Sequence, residues 1–188
     1  MAREKSSSGI SAQATAVVTG AFLSGKYVED FSWSELPLMT ISNIYIGAML
    51  SISVVTIPVF LEINNEPSHL LRQWARLYQY GIKLMPPGAI ATAILYVYAI
   101  FSNLRASKSW IIYALAAFAT LSIIPYTKFI MLPTNDLLFE LNAQTGVTDF
   151  GYVQGLVNKW RWLHIVRSLF PLVGVTFGLM GTLHDVLA

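Results

Sequence analysis

Trp160, His164 and Arg167 stand four and then three residues apart, so on a helix an indole, an imidazole and a guanidinium share one face. An imidazole titrates near neutrality and can accept a proton. A guanidinium alongside disfavours a second positive charge, which keeps the ring neutral and able to act as a base. The same guanidinium can stabilise an oxyanion formed beside it. The bland alternative is a membrane belt. Arg167 would then snorkel to an interface beside Arg161, Trp160 and Trp162, and His164 would only hold the structure together.

Other polar groups qualify less directly. Asn135 and Asp136 follow Pro133-Thr134, where they read as a helix cap or as groups that orient His164 or a substrate hydroxyl. Tyr126 and Thr127 follow Pro125 and can line a cavity, although the threonine hydroxyl can also bond back to its own helix. Tyr78, with Trp74, belongs to an aromatic set able to stack on a flat ligand. His69 lies in a polar segment, the usual setting of a solvated histidine. With His164 and Glu62 or Asp136 it offers a copper or iron site as an alternative, without the spacing of a metal motif. The chain carries no cysteine, so thiolate metal sites and disulfides are excluded. It also lacks a phosphate-binding glycine loop, a nucleophile elbow and a nicotinamide or flavin fingerprint.

The elements that position these residues are membrane spans. Of the 188 residues 55% are hydrophobic and 12% charged, against about 25% charged in soluble domains. The net charge of +2 gives no reason to expect nucleic acid as a partner. Leu36–Leu61, Leu84–Leu104 and Ser109–Thr127 carry no charge, and Ser168–His184 follows Arg167. A bilayer core of about 30 Å needs about 20 apolar helical residues. The fourth run reaches that length only if its helix starts near Leu163, which puts His164 and Arg167 inside the membrane. Ionisable groups there point to function. The runs lack two-residue alternation, so helices rather than barrel strands are expected.

The expected fold is all-α, an integral membrane four-helix bundle with a polar pocket at one end. Helix one is about 39–61, helix two about 82–101, helix three about 110–131 and helix four about 159–183. Pro86 and Pro87 are placed in the first turn of helix two, where no intrahelical hydrogen bond is lost. Pro125 is a kink whose freed carbonyl can face a cavity. Between helices one and two, Leu70, Leu71, Trp74, Leu77 and Tyr78 fall at helical spacing. Between three and four, 137–141 is a short helix and 146–155 a loop. Residues 1–37 form an interfacial helix or an arm, with a cleaved or anchoring signal as a further reading of 12–23, and 38–188 form the four-span domain. Four spans put loops one–two and three–four on one side. There Glu62, Asn64, His69, Tyr78, Tyr126, Asn135, Asp136, Trp160 and His164 gather. The lysine and arginine distribution is too even to fix orientation.

Four segments, in order, resemble the anthrone oxygenase-like proteins, small four-helix membrane proteins of fungal secondary metabolism. They are Ile46-Gly47-Ala48-Met49-Leu50-Ser51-Ile52-Ser53 ending in Ile57-Pro58; Trp74 with Tyr78 and Gly81; Pro125-Tyr126-Thr127 with Pro133-Thr134-Asn135-Asp136-Leu137; and Trp160 with Leu163-His164 and Arg167. The resemblance spans roughly 41–183 and implies a monooxygenase that converts a polyketide anthrone to an anthraquinone. Molecular oxygen is the co-substrate, and no flavin, haem or metal is expected. On that reading His164 is the base and Arg167 the oxyanion clamp. Asn135, Asp136 and Thr127 contact substrate hydroxyls, and Trp160, Tyr78 and Tyr126 stack on the rings. The partners are a small apolar aromatic substrate and membrane lipid, in the endoplasmic reticulum or another endomembrane. The rival readings are a non-catalytic accessory or carrier for an apolar metabolite, and a metal-dependent oxidase using His69 and His164.

Overall fold

A computed structural model describes residues 35–144 and 149–187 of the chain. The expected N-terminal arm falls, except for its last residues, outside the described part, as does the signal-like stretch 12–23. Among the described residues the secondary structure is helical and forms four rods. The first rod is α1 (Glu35–Ser51), a π-helical segment (Ile52–Thr56) and α2 (Ile57–Ile63). The second is a single helix, α3 (Pro67–Arg105). The third runs α4 (Ile111–Leu121), α5 (Ile123–Tyr126), a second π-helical segment (Thr127–Met131) and α6 (Leu132–Ala143). The fourth is α7 (Phe150–Leu187). Each rod is long and apolar enough to cross a bilayer, over Ser42–Ile63, Pro67–Arg105, Ile111–Ala143 and Phe150–His184.

Three boundaries differ from the expected ones. Pro86 and Pro87 lie inside α3 rather than in its first turn, because the amphipathic stretch before them joins the same helix. Burial of Leu70, Leu71 and Trp74 holds that stretch against the bundle, and the helix continues through both prolines. The short helix expected at 137–141 is the end of the third rod, with Pro133 in the first turn of α6, where proline is tolerated. The fourth helix starts at Phe150, so Phe150–Gly155 is helix rather than loop; 145–148 lie outside the described residues. There the Asp149 side chain accepts the Tyr152 amide at 2.7 Å, capping the first turn.

Two buried clusters stand on either side of the His164 level. Ile57, Leu70, Leu71, Trp74, Leu138, Val153, Val157 and Trp160 form the larger. Tyr96, Tyr113, Ala116 and Ala117 form the other, against Phe177. A stripe down α7 faces inward: Val153, Val157, Trp160, His164, Ser168, Gly174, Gly178 and Thr182. Its glycines let α7 approach closely. A Cβ at Gly178 would stand 2.8 Å from the Tyr96 ring, and one at Gly181 would stand 2.9 Å from Tyr113.

Both π segments have the same local cause. The Ile57 amide bonds to the Ile52 carbonyl and the Leu132 amide to the Thr127 carbonyl, five residues back in each case. Each segment is followed by a proline, Pro58 or Pro133, that has no amide to continue the ladder. Single π turns of this kind recur at functional sites.

Candidate active site

Between the clusters lies a cavity of about 430 Å³. It is walled by Tyr45 and Ile52 from the first rod, and by Leu77, Tyr78, Gly81, Ile82, Met85, Pro86, Ala89 and Ile90 from α3. The third rod adds Leu121, Ile123, Ile124, Thr127, Lys128 and Leu132, and α7 adds Trp160, His164 and Arg167. The walls are mainly apolar, with few polar groups, as in most small-molecule sites.

His164 is buried, at 1% exposure, and both of its ring nitrogens are engaged. Nδ1 lies 2.8 Å from the Ser53 hydroxyl and Nε2 lies 2.6 Å from Arg167 Nη2. A guanidinium can only donate, so Nε2 must be the acceptor. Nδ1 then carries the hydrogen and donates it to Ser53 Oγ, which fixes a neutral tautomer with its basic nitrogen turned toward Arg167. The Trp160 ring packs on the imidazole, with centroids 4.8 Å apart.

Arg167 is held in an unusual setting. Its Nε is buried without a hydrogen-bond partner, and among the described residues no carboxylate pairs with it. The phenol groups of Tyr45, Tyr78 and Tyr126 are its electrostatic neighbours. A half-buried cation with one donor fully buried and no counter-ion is costly. Here it borders a cavity, so a ligand anion can supply the missing partner.

The other expected site residues divide. Tyr78 lines the cavity and packs edge-on against Phe139 at 5.1 Å and tilted against Trp74 at 5.4 Å. Thr127 lines it too, but its hydroxyl donates to the Ile123 carbonyl at 2.7 Å, which leaves only its oxygen lone pairs for a ligand. Asn135 does not line the cavity. Its Oδ1 accepts the Trp160 indole N–H at 2.8 Å, so it holds a wall residue in place. Asp136 is exposed and is not a wall residue, although it stands one turn beyond the wall residue Leu132. Tyr126 packs tilted against Phe170 at 5.2 Å and is likewise outside the wall. His69 is exposed and pairs with Glu66 at 3.6 Å, one turn away on a solvent-facing surface. It does not join His164, so the two histidines do not form a shared ligand set. Among the described residues no group of three or more potential ligands converges.

Two residues that hold His164 in place, Ser53 and Arg161, were not anticipated as site residues. Ser53 sits in the first π segment, fully buried, and orients His164. Its carbonyl accepts Arg161 Nε at 2.9 Å. That carbonyl is free because the Ile57 amide has gone to Ile52 and residue 58 is proline. Arg161 therefore braces the serine from α7 while its guanidinium lies 5.7 Å from the Trp162 ring. The available signal was Ser53 itself, a small polar side chain in an apolar span five residues before a proline.

The pattern that defines the anthrone oxygenase family matches residues 74–177. An anthrone oxygenase of Cryptosporiopsis sp. (strain 8999) is 47% identical over 146 residues, covering 78% of this chain and 84% of that protein. One of Paecilomyces divaricatus is 42% identical over 177 residues, covering 91% and 94%. A monooxygenase of Dothistroma septosporum is 39% identical over 156 residues, covering 81% and 84%. No solved structure matches the chain. With the matched region holding Trp74, Tyr78, Thr127, Trp160, His164 and Arg167, and relatives aligned over most of both chains, this protein belongs to the anthrone oxygenase family.

Proposed function

We propose that the protein is a membrane monooxygenase that oxidises an anthrone, or a related phenol, to the quinone with molecular oxygen and no further cofactor. The observation that carries the reading is the buried Ser53–His164–Arg167 chain ending on an aromatic-walled cavity. An anthrone methylene is acidified by the ring carbonyl. The substrate oxygen draws Arg167 onto itself, which frees His164 Nε2 to take the methylene proton. The resulting anthranolate passes one electron to oxygen, and the two radicals combine to a carbon-bound peroxide that is protonated to the hydroperoxide. Loss of the remaining carbon hydrogen with cleavage of the O–O bond forms the second carbonyl and releases water. One oxygen atom enters the product and the other leaves as water, so the two ring hydrogens and one O₂ are accounted for. The protein supplies a base, an oxyanion partner and a dry slot, while the substrate supplies the electrons.

Trp160 and Tyr78 form stacking walls. The setting proposed is an endomembrane such as the endoplasmic reticulum, supported by the four spans and by eukaryotic relatives. The test is purified protein with an anthrone in oxygenated buffer, following quinone absorbance and oxygen uptake with and without chelator. One oxygen per quinone, indifference to chelator, and a loss of on the order of 100-fold in His164→Ala are expected. Unchanged turnover in His164→Ala, or restoration of a chelated enzyme by copper or iron alone, overturns it.

A further inference from the structure

Four cavity-wall residues are followed by prolines at the distance that removes a helical hydrogen bond; Arg167, before Pro171, is still followed at five residues by Leu172, which has an amide, whereas the other three have no free amide at four or five. Ile82 precedes Pro86 and Pro87 by four and five residues. Its carbonyl therefore meets neither an α-type nor a π-type amide. Leu121 precedes Pro125 by four, and the next amide, of Tyr126, is bonded to Ser122. Lys128 precedes Leu132, whose amide is bonded to Thr127, and then Pro133, which has none. All three residues border the cavity. So do Pro86 and Leu132, the positions toward which the Ile82 and Lys128 carbonyls point along their helices.

An acceptor left open inside a bilayer is costly, because lipid offers no donor. Ser53 shows how such a carbonyl is satisfied. Freed in the same way by a π turn and Pro58, it takes a hydrogen bond from Arg161. Among the described residues the nearest side-chain donors go elsewhere, Ser122 Oγ to the Phe118 carbonyl and Thr127 Oγ1 to the Ile123 carbonyl. We propose that the backbone carbonyls of Ile82, Leu121 and Lys128 form a set of hydrogen-bond acceptors that reads the hydroxyl groups of the ligand. The cavity then selects a polyphenol with hydroxyls on its outer ring positions, where they are not tied to the ring carbonyl. Arg167 meets the opposite kind of group, an anionic oxygen. This inference rests on the reading of the cavity as an aromatic substrate site and adds how that substrate is told from its methyl ethers.

The probes are an anthraquinone with one outer-ring hydroxyl and the corresponding methyl ether, titrated into the detergent-solubilised full chain. One hydrogen bond gained in a dry site should favour the hydroxyl probe roughly five- to tenfold. Pro86→Ala and Pro133→Ala each return an amide to one carbonyl. At least one of them should lower the ratio of hydroxyl to ether affinity, and Pro133→Ala, which lies outside the cavity wall, should leave affinity for the ether unchanged. A second measurement needs no variant. Ile82-Lys83 and Lys128-Phe129 are each the only pair of their kind in the chain. Carbonyl-13C isoleucine with 15N-lysine, or carbonyl-13C lysine with 15N-phenylalanine, therefore isolates one peptide group in the NMR spectrum. Its carbonyl resonance should move downfield with the hydroxyl probe and stay in place with the ether. Equal affinity for both probes, or a hydroxyl preference with both carbonyl resonances unmoved, overturns the proposal. Failure of the wild type to bind either probe overturns the aromatic-site reading itself, and this inference with it.

Discussion

Arg167 separates a catalytic account of the α7 face from a purely anchoring one. A guanidinium that only snorkels would reach an interface and leave its donors to headgroups or water. Here one donor points at His164 Nε2 and Nε is buried with nothing to bond. Lysine retains the charge but loses the planar fork that can hold both an imidazole and a ligand oxygen. Arg167→Lys should therefore lower turnover per folded protein by on the order of 100-fold, the usual effect of losing an oxyanion donor in a dry site. Steady-state rates in detergent, normalised to folded protein, check this, and near wild-type turnover would remove the clamp. Ser53 acts one step further back, since it touches only the imidazole. Ser53→Ala should lower kcat on the order of tenfold, from loss of one orienting hydrogen bond, and leave KM nearly unchanged. An effect confined to KM would mean that the serine shapes the cavity instead.

At the scale of elements, α7 was legible in its middle and illegible at its start. The uncharged run and the Trp160–His164–Arg167 spacing sufficed to put the imidazole inside a span. Phe150–Gly155 reads as loop because two glycines interrupt it, and only burial of Val153 and Val157 against the larger cluster makes it helix. The double proline of α3 misled for a related reason. Proline at a helix start and proline in a helix interior look alike in one sequence. What decides between them is whether the preceding turn has a core to pack on, and Trp74 supplies it. Asn135 shows the same limit for a single side chain. Its type fits a cap as well as a substrate contact, and its actual partner, the Trp160 indole, lies 25 residues away. The glycines of α7 give a stability prediction. Gly178→Ala places a methyl 2.8 Å from the Tyr96 ring, and relieving that overlap should cost about 1–3 kcal/mol. Gly155→Ala meets nothing within 4 Å and should hold or raise the melting temperature through better helix propensity. Thermal unfolding of both variants in one detergent gives the comparison. Equal melting temperatures would mean that α7 shifts to absorb the methyl.

For the whole molecule, the arrangement of the rods decides how a substrate arrives. The cavity rim includes Ile82, Ile90 and Ile124, each at least 58% exposed, and Leu121 beside them. In rods with the length and composition of spans, apolar side chains exposed at this level would face hydrocarbon, with the exposed Lys128 of the same wall reaching toward an interface. His164 is fourteen residues into α7 from Phe150, roughly 21 Å along the axis, with a further stretch of about 30 Å before His184. A route along the bundle axis would pass the Trp74 or the Tyr96 cluster, whereas a route from lipid crosses only the isoleucine rim. An apolar tricycle already dissolved in the bilayer therefore has the shorter path. The kinetic consequence is that rate should follow the mole fraction of substrate in the membrane and not its concentration in the total volume. In vesicles at fixed total substrate and enzyme, adding substrate-free lipid that mixes with the enzyme's bilayer should lower an unsaturated rate in proportion to the added lipid. Replacing Ile82 and Ile124 together by tryptophan should narrow the rim and slow substrate entry, seen as a fall in kcat/KM with a smaller change in kcat. A rate indifferent to lipid dilution would place the entrance at the water-facing end of the bundle and would turn attention to the loops between the rods.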